Sequence, residues 1–336
     1  MHTTVITNAS SARSPATAGG SALSRQSSFH APSFQANPAA SVGRDRDNPP
    51  SHVGPYRLRS LIARGGMGRV YHAVHRQTGE AVALKVIHST TDRETERQRM
   101  FFMREMSVQS RLRHHRIVPI RDFGSDGNQW FIAMQFVPTF DLAKSLRNQN
   151  DATRTRLVCG LGCYVLEALD HLHGENIVHR DIKPNNVLVY RNRSNKVGLK
   201  LADFGISKDV RDAGHSGMTS DGEVRGTPAF MSPEQLRNSR DAGPSSDLYS
   251  AAAWLMYHLT ECVPHQANVH EPPKLADMLT KRPIPMADRN VDVPASLCAV
   301  IDRGLLPHDR GRYQTAAEFH RALLPFTKKP LAAPES

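Results

Sequence analysis

Eight residues, His179, Arg180, Asp181, Ile182, Lys183, Pro184, Asn185 and Asn186, carry six polar or charged side chains and run straight into an apolar stretch, Val187 to Val189. A second apolar stretch, Val197 to Leu201, ends two residues before Asp203, Phe204 and Gly205. Each stretch is short, aliphatic and bounded by polar residues, the pattern of a strand. Paired, the two strands bring Asn186, which precedes the first, to Asp203, which follows the second. A solvated structural loop would need none of this spacing. An isolated buried charge costs several kcal/mol, on the order of the penalty for any unpaired ion, so these groups must meet one another or a ligand.

The residue types suit one kind of chemistry. An aspartate such as Asp181 can accept a hydroxyl proton, and Lys183, two positions on, can neutralise a phosphoryl group in transfer. Asn186 and Asp203 supply the hard oxygen ligands that Mg²⁺ prefers. Lys85, in Ala83-Leu84-Lys85, sits on an apolar strand and therefore needs an anionic partner. Glu105, on the helical stretch that follows, is the choice. Glu94 and Glu96 lie nearer in sequence but too close to the helix start.

A glycine-rich loop, Ala63-Arg64-Gly65-Gly66-Met67-Gly68-Arg69-Val70, precedes Lys85. Glycine lets backbone amides approach phosphate oxygens unobstructed. A dinucleotide-binding turn would be followed by a helix, whereas Val70 to Val74 reads as a strand, so the loop bends a hairpin. A plain glycine hairpin with no ligand fits these residues equally well.

Around these motifs the chain divides into unlike parts. Residues 1 to 52 are rich in Ser, Ala and Pro with one Leu and no Tyr or Trp, too little apolar surface to offset ordering entropy, and are expected to be disordered. From Tyr56 strands are expected at Tyr56 to Ile62, Val70 to Val74 and Ala81 to Ile87. A charged helix over Arg93 to Arg113 and strands at Ile117 to Phe123 and Trp130 to Phe136 follow. Beyond residue 140, Leu157, Leu161, Val165, Leu169 and Leu172 recur at helical spacing.

Of the formal charge of +11, the arm carries +2 and residues 53 to 336 the other +9. Such a balance raises nucleic-acid binding. The densest basic stretch, Arg93 to Arg116, is broken by Glu94, Glu96 and Glu105, the pattern of a solvated helix face, so no nucleic acid is expected as a partner. No apolar run is long enough to span a bilayer and no secretory signal opens the chain, which points to the cytoplasm. Four scattered cysteines make no disulfide scaffold. Cys159 and Cys163, four apart, find no further ligands for a metal and are read as packing.

With these motifs in hand, the chain from about Gly54 to Phe326 resembles a bacterial, eukaryotic-like serine/threonine protein kinase. The run HRDIKPNN, with Lys183, resembles the serine/threonine rather than the tyrosine branch. The resemblance implies an α+β bilobal fold: a small antiparallel sheet with one main helix over about 56–136, and a mainly α-helical lobe over about 139–327, together a domain at 53–327 followed by a short tail at 328–336. It also implies phosphoryl transfer from ATP, with Mg²⁺ or Mn²⁺, to Ser or Thr of protein substrates. Asp181 matches the catalytic base, Lys183 its companion, Lys85 the ATP-anchoring lysine, Glu105 its helix partner, and Asn186 and Asp203 the metal ligands. Ile62, Ala63, Arg64, Gly65, Gly66, Met67, Gly68, Val70, Ala83, Lys85, Gln135, Val137 and Asp141 match nucleotide-binding positions, with Met134 to Val137 as the hinge.

Glu234, in Gly226-Thr227-Pro228-Ala229-Phe230-Met231-Ser232-Pro233-Glu234, matches the acidic residue that pairs with Arg312 in the family, and Asp247 the residue that holds the catalytic loop's backbone. The chain departs from the pattern at Ala63, in place of the first loop glycine, at Gln135, in place of an acidic hinge residue, and at Ala252, His308 and Asp309. None of these meets a phosphate, so catalysis is favoured over an ATP-binding scaffold.

By the same resemblance Arg180 would receive an activation-loop phosphate, with Thr219 the matching phosphosite and Asp221 standing where a second is common. Ser207, Ser216, Ser220 and Thr227 are further hydroxyls in that loop, and Thr227 is expected to bond Asp181 and Lys183. Trans-autophosphorylation in a homodimer is a further expectation. The arm serves either as a self-phosphorylation target or, in the favoured reading, as an inert leader. Many bacterial relatives continue into a membrane helix and an outer sensor domain, whereas this chain is expected to be a free-standing cytosolic catalytic unit.

Overall fold

The structure, a computed structural model, describes residues 51–65, 68–88, 95–127, 129–203, 228–266, 273–289 and 291–328, excepting the side chains of His88, residues 95–99, Phe101 and Glu105. Several expectations fall outside these residues: the arm at 1–50, Gly66, Met67, Glu94, Phe204 and Gly205, the hydroxyls at Ser207, Ser216, Thr219, Ser220 and Thr227 with Asp221, and the end of the tail.

Six strands form the first lobe: β1 (His52–Val53), β2 (Tyr56–Gly65), β3 (Gly68–His75), β4 (Ala81–His88), β5 (Ile120–Asp126) and β6 (Gln129–Gln135). They pair antiparallel in the order β1-β2-β3-β4-β6-β5. The two ends of the sheet meet. Tyr56 donates its hydroxyl hydrogen to Asp122 at 3.1 Å, and the Gly54 amide donates to Asp126 at 2.7 Å, so the sheet curls on itself. Val53, Tyr71, Leu84, Val86 and Phe131 pack on its inner face. The helix α1 (Thr95–Gln109) seats Phe102 and Met106 against Ile120, Trp130 and Ile132.

Two boundaries differ from the sequence reading, each for a local reason. The strand expected from Ile117 starts at Ile120, because the backbone of 116–118 is engaged elsewhere: Leu201 N–H donates to Arg116 O at 2.7 Å and Val118 N–H to Leu201 O at 2.8 Å. The arm boundary expected after residue 52 falls inside β1, whose Val53 is fully buried. A strand of two residues is too short to show alternation.

The second lobe is helical: α2 (Leu142–Arg147), α3 (Asp151–Gly174), α4 (Pro233–Arg237), α5 (Pro244–Thr260), α6 (Leu275–Thr280), α7 (Ala295–Gly304) and α8 (Ala316–Leu323). Asn150 caps α3 by accepting from Thr153 N–H at 2.9 Å. The expected stripe is buried at Leu161, Val165, Leu169 and Leu172. Proline at the first turn starts α5 without losing a bond, and the helix is buried around most of its surface, as its nearly continuous apolar sequence requires. It runs through the middle of the lobe, with Trp254, Leu255 and Leu259 in the core. A hairpin of β7 (Val187–Arg191) and β8 (Val197–Leu201) lies where the lobes meet. All four cysteines are unpaired and buried, and burial pushes the Cys159 and Cys163 thiols up to about 12. Among the described residues no helix is long and apolar enough to cross a membrane.

Candidate active site

A cleft enclosing about 590 Å³ opens between the lobes, walled above by Ile62, Val70 and Ala83 and below by Leu188 and Ala202. Met134 to Val137 close its back edge, and Asn186 and Asp203 stand in it. The sequence placed Ile62, Val70, Ala83, Gln135, Val137, Asn186 and Asp203 at a nucleotide, and all of them line this one space. Phe136 of the expected hinge lines it as well, and so do Val118, Thr139, Asn185, Leu188 and Ala202, although the sequence assigned these last five no role at the site. They are ordinary strand and loop residues, visible as lining only once the lobes are assembled. Gln135 N–H donates to Pro119 O at 3.0 Å, so this hinge amide is engaged within the protein.

Lys85 lies on β4 opposite Val70 of β3 and Ile132 of β6. It is 6% exposed, and its Nζ donates to Asp203 Oδ1 at 3.0 Å. The buried ammonium thus has the anionic partner its position demanded, in Asp203; Glu105, the expected partner, has its side chain outside the described residues. Gly68 has φ +150, and a Cβ there would come 2.1 Å from Val86 O. Its glycine is therefore required by the approach of β4, whatever ligand the loop covers. Ala63 and Arg64 belong to the same hairpin, paired with Val70 and Arg69, and Gly65 pairs with Gly68. Asp141 lies away from the cleft lining and caps α2, accepting from Lys144 N–H at 3.0 Å.

The catalytic-type loop is held from several sides. Lys183 Nζ donates to Asp181 Oδ2 at 2.8 Å, and Asn186 Nδ2 donates to the same oxygen at 2.8 Å and to Asp181 O at 2.7 Å. Asp247, fully buried on α5, accepts from the backbone N–H of His179 and of Arg180, each at 2.8 Å. His173 Nε2 lies 2.9 Å from the same carboxylate. Arg180 has φ 64 and Asp203 φ 58, left-handed conformations that non-glycine residues adopt at a cost of about 1–2 kcal/mol. Gln235 Nε2 donates to Arg180 O at 2.6 Å, which fixes the other side of that peptide. Burial lowers the pKa of His179 and keeps its ring neutral. His173 and Gln235 were not singled out from sequence; a histidine or glutamine on a helix carries no local mark of such a role.

Below the loop, Arg312 is fully buried and grips Glu234 with two bonds, Nη1 to Oε1 at 2.7 Å and Nη2 to Oε2 at 2.9 Å. Ser246 adds a third at 2.7 Å. Burial alone would raise the Glu234 carboxyl, but these hydrogen bonds and the Arg312 charge outweigh it and hold the group at about 2.

The donor set fits a divalent cation. Asn186 commits its amide nitrogen to Asp181, which leaves its amide oxygen as a hard donor, and Asp203 offers a carboxylate beside it in the cleft. Two protein oxygens suit an ion that draws its remaining ligands from phosphates and water. No set of three or more His, Cys, Asp or Glu side chains forms a separate metal centre among the described residues.

Comparison with known proteins agrees with this geometry. A family profile described as "Protein kinase domain" matches residues 56–319. Serine/threonine-protein kinase pkn3 of Myxococcus xanthus is 37% identical over 216 residues, 63% of this chain and 39% of that protein. Serine/threonine-protein kinase PknD of Mycobacterium tuberculosis is 33% identical over 269 residues, 80% of this chain and 39% of that protein. The chain thus spans about two fifths of the length of these relatives. The crystal structure of the Mycobacterium tuberculosis PknI kinase domain superposes with a TM-score of 0.56 at 24% identity, covering 82% of this chain and 97% of that one.

Proposed function

The chain belongs to the protein kinase family, and from that premise we propose that it is a serine/threonine protein kinase, moving the terminal phosphoryl group of ATP to hydroxyls of proteins. The observation that carries the reading is convergence: Lys85 from one lobe meets Asp203 from the other at 3.0 Å, at the cleft into which Asn186 also points, and Asn186 and Lys183 both donate to Asp181.

In this reading Ile62, Val70, Ala83 and Leu188 sandwich the adenine, with Val137 at the hinge, while the loop of Ala63 to Gly68 covers the phosphates. Lys85 exchanges part of its bond with Asp203 for phosphate oxygens. Asp181 orients the acceptor hydroxyl and takes its proton as the oxygen attacks phosphorus, and the leaving oxygen departs on the nucleoside diphosphate. Lys183, already on Asp181, balances the charge that builds on the transferring group. Asn186 and Asp203 would hold Mg²⁺, or Mn²⁺ in its place, which supplies neutralisation of phosphate charge. Asp247, through two backbone amides, keeps Asp181 in place for this. Phosphorylation of the chain's own activation loop, Thr219 above all, belongs to the same proposal, as does a homodimer in which one copy modifies the other.

The test is transfer of labelled phosphate from MgATP to a generic protein acceptor by the wild type and by Asp181→Asn. Loss of a positioned base lowers turnover by roughly 10²–10⁴-fold, with thermal stability little changed. An Asp181→Asn variant as fast as the wild type, or a folded wild type that transfers nothing, refutes the reading.

A further inference from the structure

Two cationic segments lie side by side behind the hinge, and the chemistry proposed above uses neither. One is the run from the end of α1 into β5, which contributes Arg116 and, on β5 itself, Arg121. The other is the β7–β8 hairpin, whose residues 190 to 200 carry Arg191, Arg193, Lys196 and Lys200 and no acid. The segments are joined through the backbone bonds of Arg116 and Val118 to Leu201, and Lys200 Nζ crosses between them to His115 O at 2.9 Å and Ile117 O at 3.3 Å. Burial and the charges of Arg116 and Arg121 pull the Lys200 pKa down, a sign of cations crowded together.

Two carboxylates face this strip, and both are engaged. Glu167 accepts from Arg116 Nε at 3.1 Å, and Glu80 faces Arg121 Nε at 3.2 Å. Among the described residues Arg193, Lys196 and Lys200 have no carboxylate partner. Arg193 is exposed in the turn of the hairpin; Lys196, also exposed, immediately precedes β8, and Lys200, its ammonium on the two carbonyls, lies within it. Gly198 between them leaves room that the Tyr190 ring fills: a Cβ there would lie 2.7 Å from Tyr190 Cζ. The strip is therefore an aromatic-floored surface edged by cations, with Lys196 and Lys200 about 13 Å apart at a strand's rise per residue.

We infer that this face docks an acidic, Asp- or Glu-rich segment of the protein substrate. The inference rests on the kinase reading and deepens it. Lys200 is three residues from Asp203, at most about 11 Å along the chain, and it pairs across the hairpin with Leu188 of the cleft floor. A segment held there keeps its neighbouring hydroxyl close to the cleft. Closeness to the cleft, where the proposed chemistry takes a hydroxyl of a protein, favours an acidic segment of that protein over a nucleic-acid duplex.

Two peptides with the same acceptor serine, one with a glutamate-rich tail and one with a glutamine-rich tail, separate the possibilities. For the wild type the acidic tail lowers KM by roughly tenfold at low ionic strength, and the advantage fades as salt approaches roughly 1 M. In the Arg193→Glu/Lys196→Glu variant, two exposed hairpin positions, the advantage disappears while kcat on the glutamine-tailed peptide is kept. Fluorescence anisotropy of the acidic tail alone reads docking without turnover. Tail binding by the wild type that the variant loses supports the inference even if no phosphate is transferred, in which case the kinase reading alone fails. Equal KM values for the two peptides together with no tail binding, a variant that retains the preference, or a DNA duplex that binds in place of the tail overturns it.

Discussion

Replacing Arg312 with methionine should be among the most destabilising single changes in the helical lobe. The guanidinium is fully buried and donates to Glu234 twice, and to the carbonyls of Leu306 at 2.6 Å, Pro307 at 3.1 Å and Ser245 at 3.3 Å. Methionine fills the space and satisfies none of these. Removing one partner of a buried ion pair costs about 3–5 kcal/mol, because the other charge stays behind. A second route agrees. Glu234 is held at about 2 against an ordinary 4.5, and at about 1.4 kcal/mol for each unit this is about 3 kcal/mol of net preference for the charged carboxyl, to which Ser246 adds and from which burial subtracts.

For a domain of this size the loss converts to a drop of roughly 6–20 °C in Tm, read by calorimetry or circular dichroism. The sign with pH is fixed as well. A depressed carboxyl stabilises the wild type fully above about pH 4.5, and this contribution is lost as pH falls from there toward about 2. In Arg312→Met the Glu234 carboxylate is buried without its cation, so its pKa rises above 4.5 and acid relieves the penalty as pH falls through the raised pKa toward about 4.5, a window above that of the wild type. Adding Glu234→Gln to Arg312→Met should recover part of the loss. A Tm change below roughly 2 °C for Arg312→Met, or a double variant that falls by the sum of the two single changes, would refute the reasoning.

Asp247→Asn leaves one acceptor oxygen for two backbone amides, and should cost roughly 2–3 kcal/mol while lowering kcat much more than it changes KM for ATP; an unchanged kcat with the full stability loss would show that the anchor does not position Asp181. Gly54→Ala meets both a left-handed φ of 52 and the Phe131 ring 2.8 Å from the new Cβ, so a Tm drop matching roughly 1–3 kcal/mol is expected, and none at all would show that the clasp at the sheet's back is loose in solution.

Much of the second lobe could be read from spacing alone. The α3 stripe and the β7–β8 pair are regular enough for periodicity to find, and the strand at Val197 to Leu201 falls where it was expected. The polar loop was legible because its residue types are costly anywhere but at a site. What escaped depends on assembly. Lys85 announced its need for an anion, and Asp203, over a hundred positions later, is a group found bonded to it, while Glu105, the partner local sequence favoured, has its side chain outside the described residues. His173 and Gln235 act through contacts with Asp247 and the Arg180 carbonyl that no local pattern encodes. Asp141, matched to a nucleotide-binding position by resemblance, also caps a helix through one carboxylate oxygen, a role its place before α2 sets and the motif does not show.

The bond between Lys85 and Asp203 joins the sheet to the helical half at the innermost point of the groove they share. Motion that parts the halves stretches this strut together with the backbone bonds of Arg116 and Val118 to Leu201, and in the proposed function an incoming polyphosphate competes for the same ammonium. On that proposal breathing of the molecule and loading of its groove share an exchange of partners at one nitrogen, so a substitution that only weakened the strut is expected to loosen the resting state and alter nucleotide uptake together.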